Sequence, residues 1–91
     1  MKAENVNPKN FKVNCIIYET DKFSIVHGES EDGFESLAMR WNGEEEEIGY
    51  PNAFGNPMWF VIPENLGRVF TKSLIDLPNC NLNEIINVLK K

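Results

Sequence analysis

Hydrophobic and polar positions alternate through the first half of the chain, and hydrophobic ones recur at helical spacing only near its end. In FKVNCIIY the residues Phe11, Val13, Cys15 and Ile17 share one parity, which predicts a half-buried strand. Thr20, Asp21 and Lys22 break the pattern, and FSIVHGE, with Phe23, Ile25 and Val26, predicts a second strand paired with the first as a hairpin. The Asp32-Gly33 pair suits a tight turn with positive φ. FESLAMRWN is then a third strand, with Leu37, Met39 and Trp41 on one face and Ser36, Ala38 and Arg40 on the other. Arg40 is expected to face solvent or a neighbouring carboxylate.

From Asn42 to Pro57 no period survives. Gly43, Gly49, Pro51, Gly55 and Pro57 with Asn52 and Asn56 predict one long irregular connection over 42–57, a length at which loops are often functional. MWFVI follows, apolar on both parities, and reads as a central strand covered on both faces or as an interface on one of them. Pro63 and Glu64 open a helix whose expected inward stripe is Leu66, Val69, Phe70, Ser73 and Leu74, weakened by Gly67 and stopped by Pro78. A last helix starts at the cap Asn81, with Glu84 at capping-box spacing. It carries Leu82, Ile85, Ile86 and Leu89 inward and ends on Lys90 and Lys91. Strands first and helices last define an α+β domain: an antiparallel sheet of about four strands followed by one or two C-terminal helices packed on one face.

Ninety-one residues make one domain, 1–91, with room for a single core. Residues 1–9, polar and containing Pro8, are expected to be loosely held. With 42% hydrophobic and 25% charged residues the chain has the composition of a packed domain. The formal net charge is −5, but the segment from Glu29 to Glu47 alone carries −7, which leaves +2 on the rest. Such an acidic surface repels phosphate, which makes nucleic acid an unfavourable partner and a basic partner a favourable one. No apolar run reaches the roughly 20 residues that span a bilayer and the N-terminus has no apolar leader, so a cytoplasmic location without membrane contact is expected. Cys15 and Cys80 follow no local motif and are expected as buried free thiols.

The run Glu44, Glu45, Glu46 and Glu47 admits three readings: a solvated loop, a docking patch for a basic partner, or part of a hard-cation site. Adjacent glutamates do not converge and the Asp/Asn/Gly spacing of a calcium loop is absent, so no metal or other cofactor is expected. His27 is the only histidine and reads as structural or as exposed at a strand end. No serine or cysteine sits in a nucleophile motif, and no catalytic residue is assigned. The aromatic set Trp41, Tyr50, Phe54, Trp59 and Phe60 surrounds the long loop. Either it stacks in the core and pins the loop, or part of it stays exposed, where tryptophan and tyrosine dominate binding energetics.

Two resemblances bear on function. The order β-β-β-β-α, a tryptophan strand before a glycine-rich loop and a hydrophobic strand ending IPENL are similar to the PC4-like single-stranded DNA-binding domains over roughly residues 22 to 77. That resemblance implies a dimer joined through its helices, bases stacked on Trp41, Trp59 or Phe60, and phosphates held by Lys12, Lys22, Arg68 and Lys72. Those domains line the sheet with lysine and arginine, whereas residues 22 to 47 here are mainly acidic. FSIVHGE, LAMRWNG, GYP and GNPMWFVIP, over about residues 16 to 75, resemble small uncharacterised bacterial proteins of mobile elements and integron gene cassettes, a likeness that implies no activity. The expectation is therefore a non-enzymatic interaction protein, with a second copy of itself as a further candidate partner. It binds a basic protein or peptide through Glu44, Glu45, Glu46, Glu47, Trp41, Tyr50, Phe54 and Trp59, with single-stranded nucleic acid or a small molecule as the alternative ligand.

Overall fold

The computed structural model describes residues 1–90. Three long strands form where the alternation predicts them: β1 (Phe11–Glu19), β2 (Phe23–Ser30) and β3 (Glu35–Trp41), each antiparallel to the next. Thr20 closes the first hairpin, its N–H donating to the Phe23 carbonyl at 2.9 Å and its hydroxyl oxygen accepting from the Phe23 N–H at 3.1 Å. Gly33, at φ 91°, closes the second, in the left-handed region that glycine adopts freely. Two two-residue strands, β4 (Asn52–Ala53) and β5 (Asn56–Pro57), make a separate small hairpin, and β6 (Phe60–Val61) returns to β3. The main sheet has the order β1-β2-β3-β6, with the helices α1 (Glu64–Ser73) and α2 (Leu82–Leu89) after it. The α+β architecture of four antiparallel strands and a C-terminal helix pair is thus present.

Both faces of the sheet are covered. On one, Ile17, Ile25, Leu37, Ile62 and Ile85 form a core beneath the helices. On the other, Phe11, Val26, Ala38 and Trp59 pack with Ala3 and Val6 from the N-terminal segment, where a 3-10 turn spans Ala3–Asn5. The expectation that residues 1–9 are loosely held is therefore corrected for Ala3 and Val6, which are core residues, and the Ala3 N–H is fixed to Glu19 Oε2 at 2.8 Å. The single parity assigned to β1 is corrected as well. Register shifts between Val13 and Cys15 and between Ile16 and Tyr18 send Phe11 and Val13 to the N-terminal side and Cys15 and Ile17 to the helix side. MWFVI is not a central strand: only Phe60 and Val61 pair, and they lie at the edge beyond β3.

The helix stripe is also displaced. In α1 the buried residues are Gly67 and Thr71, whereas Leu66, Val69, Phe70 and Ser73 are exposed; of the expected stripe only Leu74 packs against the core. Gly67 is the reason. A Cβ there would overlap Ser36 Oγ, so the helix docks against β3 through its smallest side chain, with Thr71 Oγ1 turned back onto the Gly67 carbonyl at 2.7 Å. Gly67→Ala would stabilise an isolated helix by about 1 kcal/mol. In this fold it is expected instead to cost about 1–3 kcal/mol in a urea titration, because helix and strand must part. In α2, Asn81 Oδ1 accepts from the Glu84 N–H at 3.3 Å as its cap, and Ile85 is buried. Leu82 and Ile86, expected inside, are exposed, while Leu89 packs half-buried. Lys90 is the C-cap; Lys91 lies outside the described residues. Cys15 and Cys80 are half-buried and form no disulfide among the described residues.

Candidate functional site

The long connection after β3 is more ordered than its sequence suggests. Trp41 and Tyr50 exchange two backbone hydrogen bonds, Trp41 N–H to the Tyr50 carbonyl at 2.7 Å and Tyr50 N–H to the Trp41 carbonyl at 2.9 Å, so residues 42–49 form a loop closed at its base. Gly49 is required at that base: it has φ 75°, and a Cβ would overlap the Trp41 carbonyl oxygen. Asn42 is buried where the loop begins, accepting from Ser24 Oγ at 2.9 Å and donating from Nδ2 to the Thr20 carbonyl at 2.9 Å. After the cis Tyr50–Pro51 bond, β4 and β5 pair around a Phe54-Gly55 turn in which both residues have positive φ, 52° and 80°. That is the backbone twist a two-residue hairpin needs, and it places Phe54 at the very tip.

Arg40 holds this region from the other side of the sheet. Its exposure is 1%, and it donates from Nη1 to the Met58 carbonyl at 3.0 Å and from Nη2 to the Ile48 carbonyl. The expectation that Arg40 faces solvent or a carboxylate is overturned. It shares the Ala38 face, which is covered by the N-terminal segment and by the chain around Trp59, so the guanidinium serves as a buried fork for two carbonyls that have left the ladder. Burial lowers its pKa from the ordinary arginine value.

On the helix side of the sheet the same pairings assemble an aromatic shelf. Residues directly opposite in an antiparallel pair project to one face, as do residues two apart on a strand. Met39 pairs with Phe60 and Trp41 with Tyr50, so Trp41, Tyr50 and Phe60 stand side by side on two successive rungs. They are 56%, 65% and 59% exposed. Phe23, opposite Trp41 on β2, packs edge-on against the indole from the side, with ring centroids 4.8 Å apart and planes at 68°. Of the aromatics expected at the site, Trp41 and Tyr50 belong to this shelf. Phe54 is exposed on the separate hairpin.

Trp59 is removed from the site by its burial. Only 5% exposed, it points to the opposite face from its neighbour Phe60, contacts Phe11 at 6.5 Å, and donates from Nε1 to the Val6 carbonyl at 3.1 Å. Phe60 takes its place on the shelf. The alternation of a strand puts Trp59 and Phe60 on opposite faces, but which of the two faces outward depends on what the N-terminal segment covers.

Glu44, Glu45, Glu46 and Glu47 are all exposed at the outer end of the loop, where a turn joins the Glu47 N–H to the Glu44 carbonyl at 2.8 Å. With Glu19, Asp21, Met1 and Lys2 they line a groove of about 1130 Å³. No group of three or more His, Cys, Asp or Glu among the described residues has an arrangement for a metal ion. The cations named for a nucleic-acid path are dispersed. Lys12 lies opposite Glu29 in the strand register at one end of the first hairpin, Lys22 lies in the turn at the other, and Arg68 and Lys72 are on α1. His27 is buried on β2.

Fold and site together define an antiparallel α+β sheet domain that presents an exposed aromatic shelf beside an acidic loop. No family model, curated protein or solved structure matches the chain. Among the described residues no helix is long and apolar enough to cross a membrane.

Proposed function

We propose that this is a non-enzymatic cytoplasmic interaction protein that binds a basic protein or peptide. The observation that carries the reading is the placement of Trp41, Tyr50 and Phe60, more than half exposed, at the base of the loop that bears Glu44–Glu47. Exposed large aromatics clustered on a rigid sheet supply affinity, and a patch of one charge beside them speeds encounter and selects the partner's sign. The loop has four carboxylates within eight residues, and Glu19 and Asp21 add to the same groove. These carboxylates outnumber the Met1 ammonium and Lys2 that line the same groove, so its net charge is negative and favours a cationic partner.

The test is a titration with a short peptide of alternating lysine and arginine, followed through backbone amide NMR shifts and repeated in about 0.5 M salt, where screening is strong. Shifts at residues 41–50 and 60 that vanish in high salt are the expected result. Replacing Glu44–Glu47 together by glutamine is expected to slow association about tenfold at low salt while leaving the fold intact, since all four side chains are solvated. An unchanged association rate, or shifts confined to other surfaces, rejects the role of the loop.

A further inference from the structure

We propose that Cys15 is a reactive thiol, activated by His27, that forms a mixed disulfide with small disulfides carrying positive charge. It lies on β1, apart from the aromatic shelf and the acidic loop. Cys15 and His27 are direct partners in the register of β1 and β2. The register shift after Val13 makes this pair; without it Asn14 would stand opposite His27. Direct partners in an antiparallel pair project to the same face with Cβ atoms about 5 Å apart, which puts a thiol within hydrogen-bond reach of an imidazole. For both residues that face is the helix side. Cys15 packs against the core beneath the helices, and His27, 6% exposed, lines a cavity with Gly67 and Thr71 of α1 and Val88 of α2. Glu35 lines the same cavity. It stands two residues before Leu37, the β3 partner of His27, and so on the same face, at a diagonal a glutamate spans. Cys15, His27 and Glu35 thus run in a row across three strands as sulfur, base and a carboxylate that positions the base, the order a nucleophilic thiol requires.

The sulfur is reached from another side. Cys15 is half-buried and lines an open groove of about 490 Å³ between the N-terminal segment and the start of α2, where Glu4 and Glu84 are the charged groups. Two carboxylates disfavour a bare thiolate beside them, so the thiol reacts only with a base in contact with it. His27, the only histidine of the chain, is that base. The same two carboxylates repel an anionic disulfide and attract a cationic one. In the reaction the Cys15 sulfur attacks one sulfur of the ligand while its proton passes to His27. The ligand S–S bond breaks, and the leaving thiolate takes the proton from His27. Cys15 ends as a mixed disulfide with half of the ligand, and one small thiol is released.

Cys80 is the internal control. It is half-buried like Cys15, and its sulfur faces the Ile75 carbonyl at 4.0 Å. The folded protein is incubated at neutral pH with cystamine or with dithiodipropionate, small disulfides of opposite charge, and the adduct at each cysteine is timed by peptide mass spectrometry. Cystamine is expected to modify Cys15 about tenfold faster than Cys80, and about tenfold faster than dithiodipropionate modifies Cys15. His27→Gln is expected to slow Cys15 about tenfold and Glu35→Gln about threefold, with Cys80 unchanged in both. Glu4→Gln combined with Glu84→Gln is expected to abolish the preference for cystamine. His27 is buried, so faster reaction at both cysteines in its variant would report a loosened fold; Glu35→Gln, at an exposed position, then decides. Equal rates at Cys15 and Cys80, or a Cys15 rate that Glu35→Gln leaves untouched, overturn the activated thiol. Equal rates with the two disulfides overturn the selection by charge.

Discussion

Trp59→Ala is expected to remove about 3–5 kcal/mol of folding stability, the range for truncating a large buried aromatic. For a domain of this size that is from about a fifth to nearly all of the total, since native stabilities run from about 5 to 15 kcal/mol. The indole is the roof of the core formed by Phe11, Val26 and Ala38, and its N–H satisfies the Val6 carbonyl. Deleting it opens a void and leaves a buried acceptor without its donor. Trp59→Phe retains most of the apolar volume and gives up the hydrogen bond, so a smaller loss of about 1–2 kcal/mol is expected. Urea unfolding followed by far-ultraviolet circular dichroism measures both. A loss under about 1 kcal/mol for the alanine variant would mean that the N-terminal segment is not docked against this residue in solution.

Arg40→Ala has the second largest expected effect. Two opposing contributions decide its size. The substitution empties the largest fully buried side-chain site in the molecule and strips the donors from the Ile48 and Met58 carbonyls, each worth about 1–3 kcal/mol if left unsatisfied. Against this, a buried cation has been taken out of water, and removing it returns part of that desolvation cost. The net loss is expected to be about 2–4 kcal/mol. Arg40→Lys is not expected to rescue, because the shorter lysine places one nitrogen where arginine places two, Nη1 at the Met58 carbonyl and Nη2 at the Ile48 carbonyl. Hydrogen exchange separates this variant from a general loss of stability. Amides of the 42–58 region should lose protection before those of β1 and β2, and uniform acceleration across the sheet would argue that Arg40 holds the whole fold and not the loop alone.

The three long strands are legible because their turns are local: Thr20, Asp32-Gly33 and the alternation around them need no distant partner. The helix starts at Pro63 and Asn81 are legible for the same reason. What escapes a sequence reading is the second cover of the sheet. Ser24, Ser36 and Arg40 look like the wet side of a half-buried sheet, yet Ser24 and Arg40 are buried on the face that Ala3, Val6 and Trp59 close, and Ser36 is buried where Gly67 of α1 meets it. One unseen cover thus accounts for the misplacement of Arg40, of the N-terminal segment and of Trp59 together. The displaced stripe of α1 has a different origin. Hydrophobic periodicity proposes Leu66, Val69 and Phe70 as the inner face, but close approach at Gly67 wins, because backbone proximity to β3 is gained only where no side chain intervenes. At the candidate site the glutamates and Trp41 with Tyr50 are evident from the sequence. The exchange of Phe60 for Trp59 is not, since alternation gives the phase of a strand and not its direction.

The bond between Trp59 and the Val6 carbonyl joins residues 53 positions apart. A chain that grows from its N-terminus lays down both hairpins of β1, β2 and β3 while the counterpart of Val6 has yet to be synthesised. Phe11, Val26 and Ala38 therefore stay bare on one side until Trp59 has been made. Val6, made 53 positions earlier, docks only after the polypeptide has passed Trp59, so this side of the sheet closes late in the growth of the domain.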